Sequence, residues 1–319
     1  MKVQKTTESF STAYCKKTVS GNVTEFMEMS VYPQQPAIRK ISQNEYMTLL
    51  DGEIHEYKQS SNRSENKDSL RKTFRKIRDV INANCVKSDN LHWITLTYKR
   101  NETDVKQVYR DFDVFRKRLY RYADSIHRKR PEYISVLEPQ SRGAWHIHLI
   151  LIWHGKRPYI SNNAVFQKLW GQGFTKIQGC PNSDNLGAYL SAYLGDIPVD
   201  EYTGDLSKAE IKEITTKQHK KKAFVKGGRL RLYPCGTNIF RHSRNIAKSV
   251  VSVLTDKKEI RRQKFNSGKQ TYYIAFALTD DTSKEDTTIF VSKTFYNSKR
   301  KKSKKELLLA KASALGLLA

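Results

Sequence analysis

The stretch that decides the fold reads Glu-Pro-Gln-Ser-Arg-Gly-Ala-Trp-His-Ile-His at residues 138–148, followed by the apolar run Leu-Ile-Leu-Ile at 149–152. Side chains along a β-strand point alternately to opposite sides, so His146 and His148 project from the same face. Glu138 ends a preceding strand-like run, and the Pro- and Gly-containing segment between the two runs predicts a hairpin. If Glu138 pairs across from His146, all three groups face one side of the sheet.

Two imidazoles and a carboxylate with open positions are a ligand set for a divalent ion that polarises a phosphate. The sequence therefore predicts a metal site at Glu138, His146 and His148. The alternative is a buried strand whose histidines are merely hydrogen-bonded, and short motifs of this kind do give false positives.

The charge balance indicates a nucleic-acid partner. Lys and Arg number 58 against 32 Asp and Glu, which gives a formal net charge of +26 and a pI near 9.8. Such a surplus predicts strong, salt-sensitive attraction to a polyanion. With 319 residues, of which 38% are hydrophobic, the chain can bury one good core and carry a second small module.

Cysteine usage and hydropathy indicate a protein of the reducing cytoplasm. The four cysteines lie far apart and form no paired motif, which argues against a zinc finger or a disulfide framework. No apolar stretch is long enough to span a bilayer, and the polar first residues do not resemble a signal peptide. We expect a soluble, intracellular protein without a membrane partner.

Apolar periodicity predicts an α+β fold. From residue 91 onward the element order is β-α-β-β-α-β-α, which predicts a compact antiparallel sheet with flanking helices packed against one face. Thr103 and Asp104 open the first of these helices, Ser161 caps the second, and the third spans residues 184–194. A helix with an apolar stripe precedes them, and residues 272–278 and 288–296 are expected to form a later hairpin.

Composition divides the chain into an N-terminal extension at 1–60, a catalytic domain at 61–200 and a basic C-terminal region at 201–319. The basic stretch after Thr215 has no acidic residue up to Tyr233 and is a candidate for contacts with DNA phosphates, although charge runs are as often solvated tails. The candidate DNA-binding residues are Lys217, Lys220, Lys221, Lys222, Lys226, Arg229 and Arg231.

Two tyrosines supply candidate nucleophiles. Tyr189 and Tyr193 are four residues apart in a predicted helix and therefore share a face. A phenol oxygen near a divalent cation can attack a DNA phosphate and conserve the bond energy as a phosphotyrosine ester. The alternative is that both are ordinary core residues beside Leu186 and Leu190.

Three motifs in this order resemble HUH endonucleases, and more narrowly the two-tyrosine rolling-circle replication initiators of plasmids and single-stranded DNA phages. They are Thr95-Leu96-Thr97, His146-x-His148 and Tyr189-x-x-x-Tyr193, and the similar region covers residues 65–200. The resemblance implies a palm of the RRM or ferredoxin-like type, with the histidines on a central strand and the tyrosine helix beside it. It implies Mg²⁺ or Mn²⁺ as cofactor, held by Glu138, His146 and His148.

The resemblance further implies site-specific nicking and joining of single-stranded or hairpin origin DNA through a covalent 5′-phosphotyrosine. Tyr189 and Tyr193 match the catalytic tyrosines. Many relatives carry a lysine three residues after the first tyrosine, where this chain has Ala192. Either another cation, from the basic stretch after Thr215, replaces it, or Tyr193 carries the main step.

Two other functions fit parts of the pattern. A relaxase or transposase would use the same chemistry, and a non-catalytic protein could bind single strands with basic and aromatic side chains. The three intact candidate ligands favour an enzyme. Because no Walker-type phosphate loop is present, a host helicase and a host polymerase are the expected partners in a bacterial cytoplasm.

Overall fold

The computed structural model describes residues 2–33, 37–42, 44–57, 65–160, 163–180, 185–215, 221–279, 288–303 and 307. The chain forms two compact units. The central unit is Ser60–Ala247, and the terminal unit combines Met1–Gln59 with Lys248–Ala319. The predicted boundary after residue 60 falls at the division between the units, whereas the predicted boundary after residue 200 lies inside the central unit.

In chain order, the helices and strands are β1 Lys2–Lys5, β2 Tyr14–Ser20, β3 Val23–Met29, β4 Ile38–Lys40, β5 Glu45–Thr48, β6 Ile54–Glu56, α1 Lys67–Asn84, β7 Leu91–Thr97, α2 Val105–Ser125, β8 Glu132–Pro139, β9 Trp145–Ile152, α3 Ala164–Trp170, β10 Thr175–Gly179, α4 Leu186–Gly195, β11 Ile197–Pro198, β12 Ile211–Thr215, β13 Lys221–Val225, β14 Phe240–His242, β15 Val250–Leu254, α5 Lys257–Asn266, β16 Lys269–Thr279 and β17 Thr288–Asn297.

The central unit is built on a five-stranded antiparallel sheet with the order β10-β7-β9-β8-β14. The predicted α+β class and the element order from residue 91 are confirmed. Asp104 caps α2 by accepting a hydrogen bond from the backbone of Lys106, as its position before the apolar stripe predicted. Ser161 and Asp184, predicted at helix starts, lie outside the described residues, and Asn163 precedes α3 instead.

Helices pack on both faces of this sheet, so the predicted packing against one face is wrong. Trp93 on β7 contacts the ring of Tyr189 on α4. On the opposite side, Tyr133 on β8 contacts Phe112 on α2. Both faces of β9 are consequently covered, which explains why six of its eight residues are buried and why its sequence is a continuous apolar run interrupted by the two histidines.

Helix α4 is held close to α1 by a glycine and an asparagine. A Cβ atom at Gly187 would overlap the carbonyl oxygen of Arg78. Asn82 on α1 accepts a hydrogen bond from the Gly187 amide at 2.9 Å and donates one to Asn185 at 2.9 Å. Asn185 in turn caps α4 by accepting a hydrogen bond from the Ala188 amide. These contacts fix the helix that carries Tyr189.

The terminal unit contains a six-stranded antiparallel sheet with the order β1-β16-β17-β3-β2-β15. The predicted hairpin of β16 and β17 is confirmed by their pairing. Strands from both ends of the chain share this sheet, and α5 contributes Ile260 to a small core with Cys15, Phe26 and Tyr296. The predicted C-terminal region is thus divided between the two units. Among the described residues, no helix is long and apolar enough to cross a membrane.

Replacing Gly187 by alanine should destabilise the fold, because the new methyl group would overlap the backbone of α1. We expect a loss of about 1–3 kcal/mol, the usual cost of overpacking, measured by urea unfolding of the full chain. Gly195→Ala at the end of the same helix is the matched control, since nothing lies within 4 Å of a Cβ placed there. Equal stability of the two variants would contradict this account of the α1–α4 contact.

Candidate active site

The register of β8 and β9 brings the predicted ligands together. Glu138 lies opposite His146, as predicted, and Val136 lies opposite His148. The turn between the strands closes with hydrogen bonds from the Gln140 amide to the Ala144 carbonyl and from the Gly143 amide to the Gln140 carbonyl. Gly143 has φ of 86°, a conformation that favours glycine. The hairpin therefore sets all three side chains on one face.

The three side chains differ in their access to solvent. Glu138 and His148 are buried, whereas the side chain of His146 retains 22% of its exposure. Glu138 Oε2 lies 2.7 Å from His148 Nε2 and 3.8 Å from His146 Nδ1. The site thus has a buried inner pair and one partly accessible outer imidazole.

Thr95 on β7 orients the inner histidine. Its Oγ1 atom lies 3.4 Å from His148 Nδ1, because Thr95 is the cross-strand partner of His148. When His148 Nε2 donates to Glu138, its Nδ1 atom accepts from the Thr95 hydroxyl, so both ring nitrogens are engaged and the ring orientation is fixed. This gives a structural role to one threonine of the Thr95-Leu96-Thr97 motif.

A buried arginine completes the surroundings of Glu138. Arg229 donates from NH1 to Glu138 Oε1 at 3.1 Å and to the Pro139 carbonyl at 2.9 Å, and from Nε to the Asp196 carbonyl at 3.2 Å. Its side chain is only 7% exposed. Arg229 was predicted as a DNA contact, but the structure directs its guanidinium into the interior, where a DNA phosphate does not reach it.

The protonation of the site follows from these contacts. Burial alone would raise the pKa of the Glu138 carboxyl, but the hydrogen bond to His148 and the attraction of His148 and Arg229 hold it below its usual value. Burial lowers the pKa of His146, and this outweighs the opposing effect of Glu138. A carboxylate and a neutral imidazole are the forms in which these groups bind cations.

The donor set has the chemistry of a divalent-cation site, but its side chains contact one another directly. Within the described ranges, no group of three or more His, Cys, Asp or Glu side chains is spaced to hold an ion as it stands. Glu138 Oε2 and His148 Nε2 are instead joined by their hydrogen bond. The metal assignment remains a prediction.

Tyr189 lies beside this cluster and faces outward. Its ring stands edge to face against Trp93, with the ring centroids 5.9 Å apart, and Trp93 stands 6.4 Å from the ring of His148. Tyr189 is 50% exposed, whereas Leu186 and Leu190 of the same helix are buried. Tyr189 is therefore not an ordinary core residue. Tyr193 follows one turn later in α4, and its side chain is outside the described part of the structure.

The predicted DNA-binding residues have separate surroundings. Lys217 and Lys220 lie outside the described residues. Lys221 and Lys222 are exposed on β13, the middle strand of the three-stranded sheet β11-β13-β12. Lys226 is exposed and pairs with Glu210 at 2.8 Å. The Arg231 guanidinium stacks on Tyr202 at 4.4 Å and donates to Thr203.

Sequence reasoning missed two residues that support the Glu138 strand. Arg229 was assigned to DNA, and Tyr233 was given no role. The Tyr233 hydroxyl donates to the Leu137 carbonyl at 2.8 Å, and its side chain is fully buried. A signal was present, since 229–234 alternates basic and apolar residues before its tyrosine, but nothing local in the sequence links it to Glu138.

The antiparallel sheet, the His-x-His strand and the adjacent tyrosine helix define a domain of the HUH-type α+β class. Residues 91–197 match the family model of the replication-associated protein ORF2, and this segment belongs to that family of the rolling-circle initiator type. The match covers about a third of the chain and includes Glu138, both histidines and both tyrosines, but not Arg229. No curated protein matches the chain. The protein therefore has a replication-associated role.

Tyr233→Phe should destabilise the central unit, because it leaves the buried Leu137 carbonyl without its donor. We expect a loss of about 1–3 kcal/mol in urea unfolding. Tyr159→Phe is the control, since Tyr159 is 90% exposed and its replacement should be neutral. A neutral Tyr233→Phe would show that this hydrogen bond does not support the strand.

Proposed function

We propose that the protein nicks and rejoins one DNA strand at a specific site and thereby initiates rolling-circle replication. The observation that carries the proposal is the outward-facing Tyr189 separated by a single aromatic ring, Trp93, from the buried Glu138–His148 pair. A nucleophile and a candidate cation site are thus neighbours on one face of the sheet. The family match over residues 91–197 supports the same chemistry.

The proposed cofactor is Mg²⁺ or Mn²⁺, held by Glu138, His146 and His148. Neighbouring ligands of an octahedral ion with bonds of about 2.0–2.1 Å lie about 3 Å apart. The two distances from Glu138 Oε2 to the histidine nitrogens, 2.7 and 3.8 Å, lie on either side of that value. The donors therefore fit such an ion after shifts of less than about 1 Å. When bound, the ion would polarise the scissile phosphate.

Tyr189 is the proposed nucleophile. Its phenol oxygen attacks the phosphorus and a tyrosine–phosphate bond forms, while the bond to the 3′ oxygen breaks and that oxygen leaves as a 3′ hydroxyl. The 5′ end stays on the protein, so a later attack by a 3′ hydroxyl can rejoin the strand. We assign Tyr193, one turn further along α4, to the second transfer. The position of Ala192 leaves the auxiliary cation to the basic stretch after Thr215.

The proposed substrate is single-stranded or hairpin DNA at a replication origin. Lys221 and Lys222 support this because both ammonium groups are exposed on the same short strand. The host would supply the helicase and the polymerase that extends the 3′ hydroxyl, and a plasmid or phage initiator of this kind would act in the bacterial cytoplasm.

His146→Ala, His148→Ala and Tyr189→Phe should each abolish the covalent adduct with labelled origin DNA in the presence of Mn²⁺. The histidine variants remove a ligand, and the tyrosine variant removes the attacking oxygen, so each rate should fall by more than about 100-fold. Adduct formation is followed on denaturing gels, with Tyr159→Phe as the control. Chelation should stop cleavage and leave DNA binding intact.

Binding of single-stranded DNA without any adduct in the wild-type protein would favour a non-catalytic binding protein instead. A peptide map that locates the DNA on Tyr193 would reverse the order of the two tyrosines. Efficient adduct formation by both histidine variants would contradict the metal site.

Lys221→Gln combined with Lys222→Gln should reduce the salt dependence of single-strand binding. Each phosphate contact contributes about −0.7 to the slope of log K against log salt, so the double variant should flatten the slope by about 1.4. Lys226→Gln is the comparison and should change the slope less, because its ammonium is paired with Glu210. An unchanged slope in the double variant would show that this strand does not contact DNA.

A further inference from the structure

We infer that Arg229 is a positioning residue that fixes the orientation of the Glu138 carboxylate and ties it to the end of the tyrosine helix. The inference rests on the proposed function, because it concerns how the candidate metal ligand is held. It assigns a role in the site to a residue outside the segment that matches the family model.

The two oxygens of Glu138 are divided between different partners. Oε1 is bound to Arg229 at 3.1 Å, and Oε2 points to the histidines. The terminal torsion of a glutamate is broad, so a free carboxylate samples many rotations. Because Arg229 holds one oxygen, a single oxygen is directed to the imidazoles. The carboxylate is therefore set as a one-oxygen ligand before any cation binds.

The same arginine is anchored to the segment that follows the tyrosine helix. Its backbone amide donates to the Gly195 carbonyl at 3.1 Å, and its Nε donates to the Asp196 carbonyl at 3.2 Å. The neighbouring Gly227 amide donates to the Asp196 carboxylate at 2.9 Å. Helix ends leave carbonyls without intrahelical partners, and here Arg229 satisfies two carbonyls at the end of α4.

The close approach of this segment also depends on Gly228. A Cβ atom there would lie 2.7 Å from a methyl carbon of Ile197. The loop can therefore lie directly against β11, which keeps Arg229 within reach of both Glu138 and Asp196. One buried guanidinium then links the metal-side hairpin to the exit of the tyrosine helix.

Lysine cannot replace this arrangement. A guanidinium is a rigid planar fork that serves several acceptors in fixed directions, whereas an ammonium is a point charge on a flexible stem. Arg229 serves a carboxylate and two carbonyls at once. Arg229→Lys keeps the charge and most of the volume but loses the fork, so it isolates orientation from charge. Arg229→Ala is less informative, because it leaves a buried carboxylate without its cation and destabilises the fold itself.

The test measures Mn²⁺ binding to the full chain by the electron paramagnetic resonance of free Mn²⁺, in a double-mutant cycle of Arg229→Lys and Glu138→Ala. We expect Arg229→Lys to weaken Mn²⁺ binding by about 10–100-fold, as for other residues that orient a ligand. In the Glu138→Ala background the same change should have no further effect, because there is no carboxylate left to orient.

The matched control is Arg157→Lys, which alters another arginine of the central unit that donates to a backbone carbonyl, that of Leu91, away from Glu138. Its Mn²⁺ affinity should stay within about twofold of the wild type, a shift too small for a displaced ligand. Thermal unfolding monitored by circular dichroism checks that each variant is folded.

The outcomes are distinguishable. Absence of Mn²⁺ binding by the wild-type protein contradicts the proposed metal site, and the inference with it. Wild-type binding with an unaffected Arg229→Lys variant overturns the inference alone. An equal loss in both backgrounds also overturns it, because Arg229 would then act on the fold rather than through Glu138.

Discussion

A carboxylate buried in a sheet must have its charge compensated, and Glu138 meets this requirement with partners from three directions. His148 comes from the neighbouring strand, Arg229 from a distant loop, and His146 from the position directly across the sheet. Burying an ion without such partners costs far more than a domain can spare. The hairpin, the loop that follows the tyrosine helix and the central strand are thus constrained to meet at one atom group.

This constraint explains why the site is well placed for chemistry without any large cavity. Two-residue alternation sets the ligands on one face of β9, and α4 is packed onto that face through Gly187 and Asn82. Trp93 fills the space between the helix and His148. The nucleophile stays exposed at the surface while the groups that would bind a cation are protected beneath it.

The sequence was informative where structure depends on neighbours along the chain. The hairpin, the Glu138–His146 register and the order of elements follow from alternation and turn residues, and the half-exposed position of Tyr189 agrees with the role that its motif predicted. Contacts between distant segments were not predictable in this way. Arg229 looked like part of a solvated charge run, because its acceptors at Glu138 and Asp196 are far away in sequence. The pairing of β14 with β8 and the packing of helices on both sheet faces escaped prediction for the same reason.

The six-stranded sheet of the terminal unit has a consequence for how the chain folds during synthesis. Strands β2 and β3 are made first, yet β3 pairs with β17, whose residues are among the last to leave the ribosome. Contacts of such large sequence separation form slowly, because a long loop must close first. The central unit, whose contacts lie within Ser60–Ala247, can complete its fold while the β2–β3 hairpin still waits with an open edge. Such an edge is prone to pair with other chains, so a pause in translation after Ala247 would favour aggregation of the nascent protein.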